Sequence, residues 1–232
     1  MQRDQSAGLT QAIRISTGKH WVPYAAPFAI FIALTAAGTY FPQSAHLFYI
    51  GKTIAVGALL FWWWPVYARD IAPGLSTAGY LTAIAAGLIV LFFWIGLEPY
   101  TPKIGEPKGF DPHAFGWSGG AVLALIAVRI VGAAIIVPIM EELFWRSFIL
   151  RYAIHPNFRD VALGTFTWFS FSTVVILFGL EHHQIIEGML AGVVYALLVI
   201  KQKSLKGAIL AHGVTNLGLG IYVIATESWR FW

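Results

Sequence analysis

Three charged side chains, Glu141, Glu142 and Arg146, stand inside PIMEELFWRSFIL (residues 138–150), where almost every neighbour is apolar. A charge at the centre of a lipid-spanning helix costs about 3 kcal/mol on insertion scales, so such a cluster needs partners or a task. Spacing separates the two carboxylates. On a helix Glu142 and Arg146 are i and i+4 and share a face, which predicts a local ion pair. Glu141 is turned away by about 100° and has Trp145 at its own i+4 position. It is left without a partner from its own helix. Taken alone, the segment also fits long side chains reaching water from a membrane interface.

Two further stretches offer chemistry. Phe178, Gly179, Leu180, Glu181, His182 and His183 end one apolar segment, and LKGAILAHGVTNLGLG places His212 inside another, with Asn216 one turn later on the same face. A lone histidine at a helix end is commonly a satisfied interfacial residue, and His212 with Asn216 could serve a packed polar interface. Brought together, however, the three segments supply a free carboxylate, two imidazoles and a carboxamide. That set can hydrolyse without metal: a carboxylate and a His take a proton from water while N–H donors hold an oxyanion. Glu141, His182 and His212 could equally ligate zinc and leave one position for water. Both chemistries stay open at this level.

The elements that must position these groups are membrane helices. Of 232 residues, 58% are hydrophobic and only 11% charged, with a mean hydropathy of +0.70, too apolar for a soluble domain with a polar shell. Cysteine is absent, which excludes disulfides, thiolate ligands and a cysteine nucleophile. The basic balance is not a nucleic-acid signal, because no basic run with interleaved aromatics is present. Seven segments approach the roughly 20 residues that a span needs: 21–41, 46–68, 77–97, 119–140, 163–181, 184–200 and 206–226. The fourth stays apolar to about Tyr152, and Pro138 is expected to divide or kink it. The expected fold class is an all-α polytopic bundle of seven to eight spans, a single integral-membrane domain over 1–232 with its motif-bearing core at 119–226.

Orientation follows from Lys and Arg outside the spans. Arg3, Arg14, Lys19, Arg69, Arg151, Arg159, Lys201, Lys203 and Lys206 fall on one side and Lys103, Lys108 and Arg230 on the other, nine against three, which places the N-terminus inside. The first apolar segment lacks a cleavage pattern and reads as a retained anchor. Aromatics from Phe61 to Tyr67 beside Arg69 and Asp70 read as a headgroup-level end. The proline-bearing loop 98–118, on the outer side, is a candidate lid or substrate-facing segment.

In order along the chain, EELFWR fits EExxxR, FGLEH fits FxxxH and HGVTN fits HxxxN. The ordered trio over residues 119–226 resembles the CPBP intramembrane proteases, which include the CAAX prenyl endopeptidases. The wider text, EELFWRSFILRY, GTFTWFSF, FGLEHH and AHGVTNLGLGIYV, is similar to bacterial CAAX-protease-related proteins associated with exosortase systems. The resemblance implies a glutamate-type endopeptidase of a bacterial inner membrane that uses no catalytic metal. It makes Glu141 the general base with His182 assisting, assigns His212 and Asn216 to the oxyanion, and gives Glu142, Arg146 and Phe178 supporting roles. The implied partners are the bilayer and a peptide or protein substrate, lipidated or membrane-anchored in the broader reading, and no nucleic acid. A prenylated substrate does not follow, since bacterial relatives include maturation and immunity proteins.

One expectation conflicts with straight helices: His212 falls roughly 10 Å deep from the inner end, at about 1.5 Å per residue, whereas His182 falls near the outer end. Tilt, a later start of the fifth span or a break at Pro138 is required. Competing readings are a rhomboid-like serine protease built on Ser118 of GWSG, a zinc protease, a non-catalytic immunity or binding protein, and a small proton-coupled transporter.

Overall fold

The computed structural model describes residues 20–72, 74–105 and 109–232; the predicted positions Arg3, Arg14, Lys19 and Lys108 lie outside the described residues. Eight helices follow: α1 (Val22–Tyr40), α2 (Ala45–Trp62), α3 (Trp64–Ile71), α4 (Thr77–Leu97), α5 (Gly120–Tyr152), α6 (Trp168–Glu181), α7 (Ile185–Gln202) and α8 (Lys206–Thr226). Among the described residues there is no strand, only a lone antiparallel bridge between Lys103 and Gln184. The chain is an all-α membrane bundle, and among the described residues six helices are long and apolar enough to cross a bilayer.

The predicted spans differ from the helices in instructive places. The expected 46–68 span divides at Trp63, because Pro65 opens the short helix α3 and turns it out of line. The expected 163–181 span begins only at Trp168, where Thr167 accepts the Ser170 N–H and caps the helix. Its 14 residues rise about 21 Å, short of a 30 Å hydrocarbon core. Pro138 does not divide the fourth span: α5 runs 33 residues unbroken, carrying two widened π segments, Gly132–Ile136 and Leu143–Ile149.

Small residues decide which helices touch. A Cβ at Gly87 in α4 would fall 2.4 Å from the Ala211 carbonyl oxygen and 2.9 Å from Val214 Cβ, so only glycine permits this α4–α8 approach. The α6–α7 crossing is built alike, with Gly179 under Met189 and Gly188 under His182.

A polar knot fixes the amino-terminal end of α1 to the far end of α5. Asp70, 3% exposed, accepts from Arg151 Nη2 at 2.8 Å, Ser147 Oγ at 2.6 Å and Tyr24 Oη at 3.2 Å, and its backbone carbonyl accepts from Leu205 N–H. Arg151, expected as a loop cation, is instead 2% exposed, and Asp70 is buried while the neighbouring Arg69 side chain is exposed. Breaking a buried pair on one side costs about 3–5 kcal/mol because the remaining charge is stranded. Arg151→Met is therefore expected to lower the thermal midpoint in detergent sharply, and Asp70→Leu combined with Arg151→Leu to recover much of it. An unchanged midpoint for Arg151→Met would show that the knot does not hold the bundle.

Candidate active site

Glu142 and Arg146 form the predicted pair, Arg146 Nη1 donating to Glu142 Oε1 at 3.0 Å with both side chains fully buried. The guanidinium lies over two rings, 4.1 Å from the Phe178 centroid and 5.5 Å from that of Tyr195, so aromatic faces share the burden of its charge. Glu142 has a second partner that spacing could not show: His212 Nδ1, from α8, stands 3.0 Å from the same Oε1. An ionised carboxylate can only accept, so Nδ1 carries the proton and the ring is held with Nε2 towards Glu141, 4.0 Å from its Oε2. Tyr195 stacks on the imidazole at 4.9 Å and 19°, and is itself fixed by its hydroxyl donating to Thr215, whose hydroxyl reaches the Gly87 carbonyl.

Glu141 behaves differently. It is 5% exposed, and its Oε2 is buried without a hydrogen-bond partner among the described residues. The residue lines a cavity, so its carboxylate is free to accept from a polar ligand such as water.

His182 follows the last residue of α6. Its Nδ1 lies 2.6 Å from the Phe178 carbonyl, which can only accept, so Nδ1–H donates and Nε2 is left for other chemistry. Phe178 (4.6 Å) and Trp94 (5.4 Å) clasp the ring. From behind, a Cβ at Gly188 would come within 3.1 Å of His182 Cβ and 3.2 Å of Cγ. Gly188→Ala is expected to cost at least about tenfold in kcat by shifting the imidazole a few tenths of an ångström, since sub-ångström misplacement is costly in an oriented site. Gly51→Ala, with nothing within 4 Å of the added Cβ, serves as the silent control. Equal rates for the two variants would remove the positioning role.

Asn216 is placed by Pro138. In the first π segment Val137 N–H bonds to the Gly132 carbonyl, five residues back, so the next N–H in that register would reach Ala133. Residue 138 is proline and has none. Asn216 Nδ2 donates to that Ala133 carbonyl at 2.8 Å instead, which leaves its second amide N–H unused by this bond. The proline expected to break the helix thus anchors α8 against α5.

These residues meet. A cavity of about 190 Å³ is lined by Glu141, Phe178, His182, His212 and Asn216, together with Arg129, Tyr195 and Thr215. The depth conflict between the two histidines does not keep them apart, since both line this one cavity. Ser118 lies exposed at the start of α5, outside that lining. Tyr195, Thr215 and Arg129 were not singled out in the sequence. Arg129 carried a readable signal as a lone arginine in a predicted span, whereas Tyr195 is indistinguishable from any aromatic in an apolar run. Glu181 turns from the cavity to accept from Trp145 Nε1 at 2.9 Å. Among the described residues no three His, Asp or Glu side chains are grouped to hold a metal ion.

Comparison with known protein families matches residues 123–218 to the family described as Type II CAAX prenyl endopeptidase Rce1-like. Comparisons with curated proteins and with solved structures gave no match. The matched segment contains EELFWR, FGLEH and HGVTN, and with them every side chain of the sequence-predicted site. That segment, and with it the motif-bearing part of the chain, is similar to the Rce1-like family of type II CAAX prenyl endopeptidases.

Proposed function

We propose that this protein is an intramembrane endopeptidase that hydrolyses a peptide bond with a water activated by Glu141. The carrying observation is that Glu141, whose Oε2 is buried without a hydrogen-bond partner among the described residues, lines one cavity with His182, His212 and Asn216. Water held against the Glu141 carboxylate gives its proton to Glu141, with His182 Nε2 as a second acceptor, and attacks the carbonyl carbon. Negative charge then forms on the carbonyl oxygen. Asn216 offers its spare amide N–H, and His212 offers Nε2–H in the doubly protonated ring that the Glu142 carboxylate at Nδ1 would stabilise. The proton held by Glu141 passes to the leaving amine as the carbon–nitrogen bond breaks, so the cycle closes without net change in the protein.

The family description supports a peptide or protein substrate met at the bilayer, lipidated or not, and the apolar helices support residence in a membrane, which we assign to a bacterial inner membrane with the N-terminus cytoplasmic. The proposed route is metal-free: the Glu141 carboxylate and His182 handle the water's proton themselves. A peptide library presented to the purified protein in nanodiscs tests the reading. Cleavage that survives a strong chelator and the Ser118→Ala change is expected. Chelator-sensitive cleavage restored by zinc would move Glu141, His182 and His212 into a metal site. Loss in Ser118→Ala would install a serine nucleophile, and partner binding without any cleavage would leave a non-catalytic scaffold.

A further inference from the structure

Two cations in the membrane helices have no part in the chemistry above. Lys52 in α2 is 7% exposed, and its ammonium donates to the Thr35 hydroxyl at 2.8 Å. Arg129 in α5 makes no hydrogen bond or ion pair through its guanidinium among the described residues, and its Nε is buried and partnerless. Both charges face one ring, Lys52 Nζ 4.7 Å and Arg129 Cζ 4.5 Å from the Tyr49 centroid. Phe110 (4.2 Å) and Trp232 (5.1 Å) complete an aromatic cage around the guanidinium. Rings ease the desolvation of one cation, but they do not neutralise two like charges held together in an apolar setting. No carboxylate among the described residues forms an ion pair with either cation.

The two cations line a second cavity, of about 730 Å³, between the α1–α2 hairpin and the loop that precedes α5. Asp111 also lines it, but that carboxylate accepts the His113 N–H. Arg129 lines both this cavity and the one that holds Glu141. An anion bound to Arg129 is therefore adjacent to the space where a scissile bond would lie. That adjacency favours a group carried by the substrate over a lipid phosphate.

Resting on the protease reading, we propose that Arg129 and Lys52 form a subsite for a carboxylate of the substrate peptide. Its place can be estimated. Arg129 and Glu141 are 12 positions apart on one helix, an axial separation of about 18 Å at 1.5 Å per residue. Extended peptide covers about 3.4 Å per residue and both residues line one cavity, so the carboxylate sits within about five residues of the bond that is cut. A side-chain carboxylate and a chain terminus share the chemistry and are separable by synthesis.

The test uses full-length Glu141→Gln protein in nanodiscs, which measures binding without cleavage. Fluorescein-labelled decapeptides carry one Glu at successive positions with an amidated end, the matched Gln, or a free C-terminal carboxylate with no Glu. A carboxylate peptide is expected to bind at least about tenfold more tightly than its neutral twin, since a charge-assisted pair is lost with the anion. Adding Arg129→Gln should collapse that ratio to below about twofold, and Arg129→Lys should keep part of it. Lys52→Met provides a second, independent loss. Which carboxylate peptide responds identifies side chain or terminus.

A wild-type-like ratio in both the Arg129→Gln and Lys52→Met proteins, each with an unchanged thermal midpoint, would overturn the subsite. So would equal binding of carboxylate and neutral peptides. An Arg129-dependent thermal shift with phosphatidylglycerol nanodiscs over phosphatidylcholine ones, without peptide discrimination, would assign the cavity to lipid and overturn it too. If the ratio collapses as expected while wild-type protein cleaves none of the peptides, the subsite stands and the hydrolytic reading is what fails.

Discussion

Replacing Glu141 with Gln is expected to lower kcat/KM by about 10³-fold, the range that a positioned general base contributes, while leaving the thermal midpoint essentially unmoved. The two halves of that result come from one feature. Glu141 Oε2 has no hydrogen-bond donor among the described residues, and its approach to His212 Nε2, at 4.0 Å, is too long for a hydrogen bond. The fold therefore does not depend on the negative charge at this oxygen. An amide of the same shape removes a buried charge and keeps the volume, so stability is retained while the proton acceptor is lost. Measuring kcat/KM on a cleaved fluorogenic peptide and thermal unfolding on the same preparation checks both. Activity within tenfold of wild type would remove Glu141 as base; a collapse of the midpoint would make it a structural carboxylate.

That Glu142 pairs with Arg146 and Glu141 does not was legible from spacing alone, since i and i+4 geometry is local and survives even where α5 widens into π turns. Which helices exist was legible for the same reason: twenty apolar residues in a row leave the backbone little choice. What spacing could not supply was contact between helices. That Glu142 also receives His212, that Tyr195 stacks on that ring, and that Asp70 binds Arg151 across 81 positions all depend on which faces meet. Those meetings are set by small residues such as Gly87 and Gly188, whose importance appears only when the neighbouring helix is in view. Pro138 was misread for a related cause. Its missing N–H was correctly taken as a defect, but the repair comes from Asn216, a residue 78 positions away. Arg129 and Lys52 were overlooked although their charge lay open in the sequence, because each stood alone in its segment and matched no pattern.

Glu142→Gln is expected to damage both folding and activity, and the two losses can be separated. Glu142 Oε1 serves Arg146 and His212 at once, each at 3.0 Å. Without the carboxylate, a fully buried guanidinium is stranded among Phe178 and Tyr195, at a cost of about 3–5 kcal/mol. Removing both charges as Glu142→Leu with Arg146→Leu leaves no stranded ion, and replacement of a buried pair by apolar residues of similar volume is often neutral, so the midpoint should recover. Activity should not. His212 would keep its stacking on Tyr195 but lose the acceptor that fixes Nδ1–H and balances a doubly protonated ring, and loss of such an orienting partner typically costs about 10–100-fold. The informative result is thus a well-folded double variant with a depressed kcat and little change in KM. If activity returned with stability, Glu142 would be only the counter-ion of Arg146, and the oxyanion role given to His212 would have to pass to Asn216 alone.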